Sequence, residues 1–491
     1  MFQKVFTKSI FQLFLVTAFG ISLLAYIIYK AAHLSFTHDE CYTYLHYVHQ
    51  GFMDIISYKT PYTNNHILNT VLIKYFEELF GNSELILRMP NILAFVVYSV
   101  YAVLLLYKYV PKLIIPGYLL LTLNPYLLDF FALARGYGLS IGFLVMSIYY
   151  ICNYFTTLKP VHLILFNVGA FLAVMSNFSL LNYYVAALFT FNAISYIKTK
   201  SRLNATGEKE TFIKLNKINV ISVILSAMVL YEPLRRISKK SLLDFGGKKG
   251  FLEDTVGSSI DDLFYETAIT PLSASLIKTG IVLVIFLILG LIALKLMKQQ
   301  YIFFKEQLPL VFMNLTLLLM VVITQIQHIV LGNDFYVHRF ALFFYPLFIL
   351  NFIFCIQYLY TYFKWGSIFM AYGLSVLLSI NLYQNHHLNY YKDWKYDKDT
   401  KLVMEKLVTE HINHPDKQVQ LGINWLFEPS TNFYRYTWDL KWLNPTHRKG
   451  INGREDYFYL FKNDKEFSMT QNKESLYTND ETSAILIKNT E

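Results

Sequence analysis

Two adjacent carboxylates, Asp39 and Glu40 in Thr37-His38-Asp39-Glu40-Cys41-Tyr42-Thr43, follow the first long apolar segment of the chain. A carboxylate held at an apolar boundary can act as a general base when neighbouring charge tunes it. The plainer reading is a solvated acidic pair that caps the outer end of a helix, and from the residues alone both stay open. Arg88 in Leu87-Arg88-Met89-Pro90-Asn91, Arg135 in Leu133-Ala134-Arg135-Gly136-Tyr137-Gly138 and Arg339 in Val337-His338-Arg339-Phe340 are the complementary set. A guanidinium fork suits phosphate and keeps its charge at any physiological pH. Taken singly, each arginine reads as snorkelling to headgroups or pairing with an acid such as Asp129 or Asp334. Gathered on one face with the acidic pair, the three imply an anionic leaving group.

Other residue patterns carry less. His46 and His49 stand at i, i+3 and, with His38 and His66, have ligand chemistry. No HExxH motif or Cys/His pairing accompanies them, so they read as aromatic-belt histidines and no metal ligands are assigned. Gly246-Gly247 and Gly136-x-Gly138 lack the strand–loop–helix setting of a nucleotide cradle, and no Walker sequence is present.

The elements that must hold these residues are membrane helices. Of 491 residues 55% are hydrophobic, 17% aromatic and only 16% charged, with 41 Phe and 39 Tyr. A soluble domain carries about 25% charged residues, so this is a polytopic membrane protein with many interfacial rings. The net charge of +9 lies largely in short loops, where Lys and Arg set topology, and is not a nucleic-acid footprint. Cys41, Cys152 and Cys355 are scattered and give neither a zinc spacing nor a disulfide framework.

The first span is read at residues 13–32 as an uncleaved helix, because no small-residue cleavage site follows it. Further apolar spans run at about 91–108, 112–130, 138–156, 161–178, 181–198, 218–232, 275–297, 307–331, 340–359 and 366–383, making about eleven. With the N-terminus inside, Lys108, Lys112, Lys159, the 198–217 stretch, Lys295 to Lys305 and Lys364 all fall in cytoplasmic turns. Residues 233–274, with Arg235, Arg236, Lys239, Lys240, Lys248 and Lys249, fall outside, where long loops obey the charge rule poorly.

The expected architecture is an all-α polytopic membrane domain at 1–389, with a first outer loop at 33–90 and a small extracytoplasmic α/β domain at 390–491. Within the loop, residues 69–80 have helical apolar spacing suited to lying along the interface. In the tail, residues 398–411 read as an amphipathic helix, and 419–425, 456–460 and 483–487 as strands. Trp425, Glu428, Tyr434 and Trp438 are read as that domain's own core, with a carbohydrate-stacking surface as the alternative.

These motifs resemble those of the glycosyltransferase C (GT-C) superfamily, in the bacterial branch with protein-mannosyltransferase-like and lipid A aminoarabinose-transferase-like enzymes. Asp39-Glu40 resembles that group's acidic pair, and Asn65-His66-Ile67-Leu68 its Asn/Asp-His-Pro-Pro-Leu stretch, with Ile-Leu for Pro-Pro. Leu87-Arg88-Met89-Pro90-Asn91 resembles its Arg-x-Pro-Ser/Asn element, and Ala134-Arg135-Gly136-Tyr137 its Ala-Arg-x-Tyr. The likeness covers residues 1–200 and fades in the tail.

The resemblance implies a polyprenyl-phosphate sugar donor and transfer, with inversion, to a glycolipid, polysaccharide or protein acceptor on the outer face of the cytoplasmic membrane. It assigns Asp39 as base and Glu40 as a positioning acid. Arg88, Arg135 or Arg339 would neutralise the lipid phosphate, with His66 and Tyr137 at the substrate. The Asp-Glu pair lacks the Asp-x-Asp spacing of metal-using relatives, so no cofactor is expected. A lipid-linked sugar flippase would need ionisable groups deep in its spans, and few are present. A polysaccharide polymerase would centre its loop chemistry later in the chain.

Overall fold

Each of the expected apolar runs is helical, that at 112–130 as two helices, in the computed structural model, which describes residues 2–200, 206–239, 246–412, 418–470 and 473–489. The chain opens with α1 (Phe2–His33), followed by three short loop helices, α2 (His38–Thr43), α3 (Phe52–Ile56) and α4 (Ile67–Phe80). Then come α5 (Glu84–Tyr109), α6 (Ile114–Thr122), α7 (Pro125–Phe131), α8 (Gly136–Thr157), α9 (Pro160–Ser176), α10 (Leu181–Lys200) and α11 (Thr206–Lys239). The second half carries α12 (Gly257–Leu263), α13 (Pro271–Met297), α14 (Tyr301–Glu306), α15 (Leu308–Leu331), α16 (Phe344–Leu359) and α17 (Lys364–Asn385). Of the basic stretch read at 198–217, residues 201–205 lie outside the described residues, as does Lys240.

By length and apolarity alone, fewer helices qualify as membrane crossings than the eleven expected. Among the described residues eight helices are long and apolar enough to cross, or nine if α6 and α7 count as one broken span. At 1.5 Å per residue, α9 (17 residues) and α16 (16 residues) fall short of the roughly 30 Å hydrocarbon layer. The run read at 112–130 is broken at Asn124-Pro125, where the axis turns by 71°. Asn124 caps the new helix by accepting from the Leu127 N–H at 3.1 Å, and Pro125 sits where a missing N–H costs nothing. The span read at 218–232, by contrast, lengthens to Asn216–Ser238.

The bent α7 is pinned to α1 by a buried ion pair between Lys30 and Asp129. The Tyr265 hydroxyl (2.5 Å) and the Lys392 N–H (3.3 Å) also donate to Asp129. Asp129 therefore serves a lysine and not one of the arginines. A charge in the bundle is tolerable only when paired this fully.

The tail forms α18 (Thr400–Ile412), α19 (Glu428–Thr437) and a four-stranded sheet; the two-residue β1 (Gly246–Gly247) and β2 (Phe335–Tyr336) pair separately. Its strands are β3 (Leu421–Ile423), β4 (Tyr457–Phe461), β5 (Glu474–Thr478) and β6 (Ala484–Lys488), in the order β3-β4-β6-β5. β3 and β4 run parallel across the α19 connection, and β6 is antiparallel to both its neighbours. One apolar core joins this tail to the first loop: Phe36, Cys41, Tyr44 and Val48 are buried together with Met404, Phe427, Phe433, Tyr434 and Tyr459. Each such side chain contributes about 1.5–3 kcal/mol by leaving water. Loop and tail therefore lie on the same side of the membrane domain, and the tail shares its core with the loop.

Candidate active site

One helical turn sorts the acidic pair. Thr37-His38-Asp39-Glu40 has the Thr-x-x-Glu spacing of a capping box, and Glu40 folds back to accept from the Thr37 N–H (2.8 Å) and Oγ1 (2.9 Å). Successive helical residues point about 100° apart. Hence His38, Asp39 and Glu40 face three different surroundings.

Glu40 faces inward. Its carboxylate receives the Arg88 fork through Nε at 2.8 Å and Nη2 at 2.7 Å, and the Ala134 N–H at 2.5 Å. Arg88 spends its other N–H groups on the carbonyls of Ala31 (3.0 Å), Leu34 (2.8 Å) and Ser35 (2.8 Å). A guanidinium has five donors, and all five are taken. Both side chains are buried. The expected roles of Glu40 at the substrate and Arg88 on a phosphate do not fit this arrangement. The pair instead locks the end of α1, the start of α2 and the Ala134 turn together.

Asp39 points to a different face from Glu40 and keeps 18% of its side chain exposed. Its Oδ2 lies 3.8 Å from Arg135 Nη2 and 3.4 Å from Arg339 Nη2. Burial pushes its carboxyl up, but Arg135, Arg339, His38 and His66 outweigh this and hold it below the usual carboxylate range. Arg135 is oriented by Thr43 Oγ1 (2.9 Å) and the Asn64 carbonyl (3.0 Å), and its buried Nε has no partner.

Arg339 is the loosest of the three arginines. Its other contact, to Asp393 Oδ2, is 3.5 Å, beyond the 2.7–2.9 Å of a firm charge-assisted bond. Its Nε is unpartnered, its side chain is 30% exposed, and its Cζ lies 5.3 Å from the centroid of the Trp394 ring. Asp393 also accepts from the Tyr126 hydroxyl at 2.9 Å, and burial pushes its carboxyl up.

His66 caps the start of α4 and packs against Tyr137 with ring centroids 4.8 Å apart. Its Nδ1 lies 2.8 Å from the Ser176 carbonyl, which only accepts, so Nδ1 carries the proton. Burial and then Arg135 hold this imidazole well below its usual pKa, leaving a neutral ring whose Nε2 is an unpartnered acceptor. Gly136 makes this packing possible: a Cβ there would stand 2.1 Å from the Ser176 carbonyl oxygen and 2.7 Å from His66 Cβ. Tyr137 also packs on Phe130 and Phe340.

The structure thus gathers Asp39, His66, Arg135, Tyr137 and Arg339, and sets Glu40 and Arg88 behind them. Sequence reasoning missed Asp393, which adjoins Arg339, and the tail's grip on the loop. Tyr434 accepts from the Phe36 N–H at 2.8 Å, and Ser35 Oγ donates to the Lys398 carbonyl at 2.7 Å. The His38 ring meets the Leu426 carbonyl at 2.7 Å. Asp397, buried, accepts from Ser430 (2.5 Å), Thr400 (2.5 Å) and the His38 backbone, and burial pushes its carboxyl up to about 7. His46 packs at a tilt on Tyr42 and His49 lies 3.9 Å from Glu77. Among the described residues no three His, Cys, Asp or Glu side chains converge as metal ligands.

A solved structure shares this architecture. The chain aligns with ArnT from Cupriavidus metallidurans bound to undecaprenyl phosphate over 97% of each chain, at a TM-score of 0.51 and 8% identity. The fold is the ArnT fold. The apo form of the same protein aligns at a TM-score of 0.43, again with 8% identity and 97% coverage of each chain. No family model and no curated protein sequence matches the chain. At this identity the likeness speaks to fold, and the site's chemistry rests on the residues above.

Proposed function

We propose that this protein is a membrane glycosyltransferase that moves a hexosyl or pentosyl unit from a polyprenyl-phosphate donor to an acceptor hydroxyl or amine, with inversion, on the outer face of the cytoplasmic membrane. The observation that carries this reading is a partly open carboxylate, Asp39, held between two arginines that have unpartnered Nε groups. Support for the lipid carrier comes from the shared fold, since the aligned ArnT structure holds undecaprenyl phosphate.

In this mechanism the acceptor O–H or N–H attacks the anomeric carbon from the face opposite the phosphate. The bond from that carbon to the phosphate oxygen breaks, and its electron pair leaves with the lipid phosphate. Asp39 takes the acceptor's proton. Arg339 and Arg135 receive the developing phosphate charge, in a site where preorganised cations act strongly. Phosphate binding draws the two arginines' charge away from Asp39 and so raises its basicity at the moment a base is needed. His66 Nε2 accepts from a substrate hydroxyl, and Tyr137 holds the His66 ring. Glu40 and Arg88 act only by fixing the loop. We assign the chemistry to side chains alone, without a metal.

The test is release of labelled sugar from a panel of polyprenyl-phosphate donors by the purified protein in lipid, comparing wild type with Asp39→Asn. Turnover that survives in Asp39→Asn removes Asp39 as the base.

A further inference from the structure

The third face of the α2 turn points to what accepts the sugar. His38 and Tyr42 are i, i+4 neighbours on α2, one helical step round from Asp39 and Thr43. The His38 and Trp425 rings meet in a T-shape at 6.4 Å between centroids, and Tyr42 packs on Tyr62 at 5.6 Å. Across from them, Arg448 Cζ lies 5.7 Å from the Trp425 ring and its Nε donates to Glu428 at 3.2 Å. The His38–Trp425 ring pair brings loop and tail together along this line. Trp425 is 53% exposed and Tyr62 50%. Of the four tail residues singled out in the sequence, Tyr434 is buried and Trp438 packs on the tail core, and Trp425 alone stands mostly open.

Here a large open indole stands beside a paired arginine and glutamate, with the Tyr62 and His38 rings on the loop side. Its chemistry is specific. Ring faces match the C–H faces of a pyranose, and a paired cation and carboxylate offer both donors and acceptors to its hydroxyls. A phosphate would find its arginine already neutralised by Glu428, and a lipid tail would desolvate that ion pair. We infer that His38, Tyr42, Tyr62, Trp425, Glu428 and Arg448 form a carbohydrate-binding subsite for the acceptor, one helical step from Asp39, shared between first loop and tail. It makes the acceptor a glycan or the sugar head of a glycolipid, and the tail part of the site. This inference rests on the glycosyltransferase reading for its role but not for its ligand.

The experiment is saturation-transfer NMR or calorimetry on the full chain in lipid, without donor. The probes are methyl glycosides and disaccharides of glucose, galactose, glucosamine and N-acetylglucosamine, with a threonine-rich peptide alongside. The expected result is saturable binding of at least one saccharide, weakened about tenfold in Trp425→Ala and kept within about threefold in Trp425→Phe, as loss and retention of a stacking ring require. Trp425 is too exposed for either change to threaten folding. Absence of saccharide binding, binding indifferent to Trp425→Ala, or binding of the peptide instead overturns the inference. Donor turnover that depends on Asp39 but comes without saccharide binding rejects this subsite alone. Saccharide binding through Trp425 without turnover of any donor upholds the subsite and counts against the transferase reading.

Discussion

Arg88 and Arg339 look alike in sequence, and the structure predicts opposite consequences for losing them. Arg88→Met removes the five donors that hold Glu40 and three carbonyls, leaving a buried carboxylate with only the Thr37 and Ala134 groups. Breaking a buried pair in this way costs about 3–5 kcal/mol. Because the pair joins α1, α2 and the Ala134 turn, that loss falls on local opening of the first loop. At 1.4 kcal/mol per tenfold, amide exchange across residues 37–48 speeds up about 100- to 1000-fold or more. Arg339→Met loses two contacts of 3.4 and 3.5 Å from a side chain 30% exposed, and exchange in the same segment changes less than about fivefold. The assay is hydrogen–deuterium exchange with mass spectrometry on both variants in lipid. The double variant Glu40→Leu/Arg88→Met recovers part of the loss, since no unpaired charge remains. Equal exchange in the two single variants, or loss of donor binding in Arg88→Met with an undisturbed loop, refutes the division of labour.

Two further predictions concern pH. Asp39 is held below its usual pKa by Arg135 and Arg339, so it supplies stability present above the unfolded value near 3.8 and lost as pH falls through the folded one. Arg339→Ala raises that folded value, and the acid limb of the pH–rate profile moves to higher pH; an unmoved limb contradicts the coupling. Asp397 runs the other way, because burial raises it to about 7. Its stabilising contribution is complete below the unfolded value near 3.8 and is lost as pH rises to about 7. Asp397→Asn flattens that slope in thermal melts recorded from pH 4 to 8, and an unchanged slope removes Asp397 as its origin.

Much of this architecture was written in local pattern. Each of the eleven apolar runs marked helical structure, although 112–130 folds as two helices, and β-branched or aromatic runs marked β3, β4 and β6. β5 was passed over because Glu474-Ser-Leu-Tyr-Thr lies at the sheet edge with little of it buried and has no clear apolar run. The break in 112–130 was spelled by Asn124-Pro125, yet the apolar residues on either side disguise it as one span. The capping-box spacing of Thr37 and Glu40 carried the clue that the acidic pair divides, and hydropathy weighs the two acids alike. The tail's hold on Ser35, Phe36 and His38 was illegible because it joins segments more than 300 residues apart, and Asp393 because its bond to Tyr126 spans 267 residues. Only the folded chain brings them within hydrogen-bond reach.

The most direct test of the whole account is loss of labelled sugar from a polyprenyl-phosphate donor by wild-type and Asp39→Asn protein in lipid, with donor binding measured alongside. The account predicts turnover in wild type, a fall of about 100-fold or more in Asp39→Asn, and donor binding retained because Arg135 and Arg339 remain. Full turnover in Asp39→Asn contradicts it.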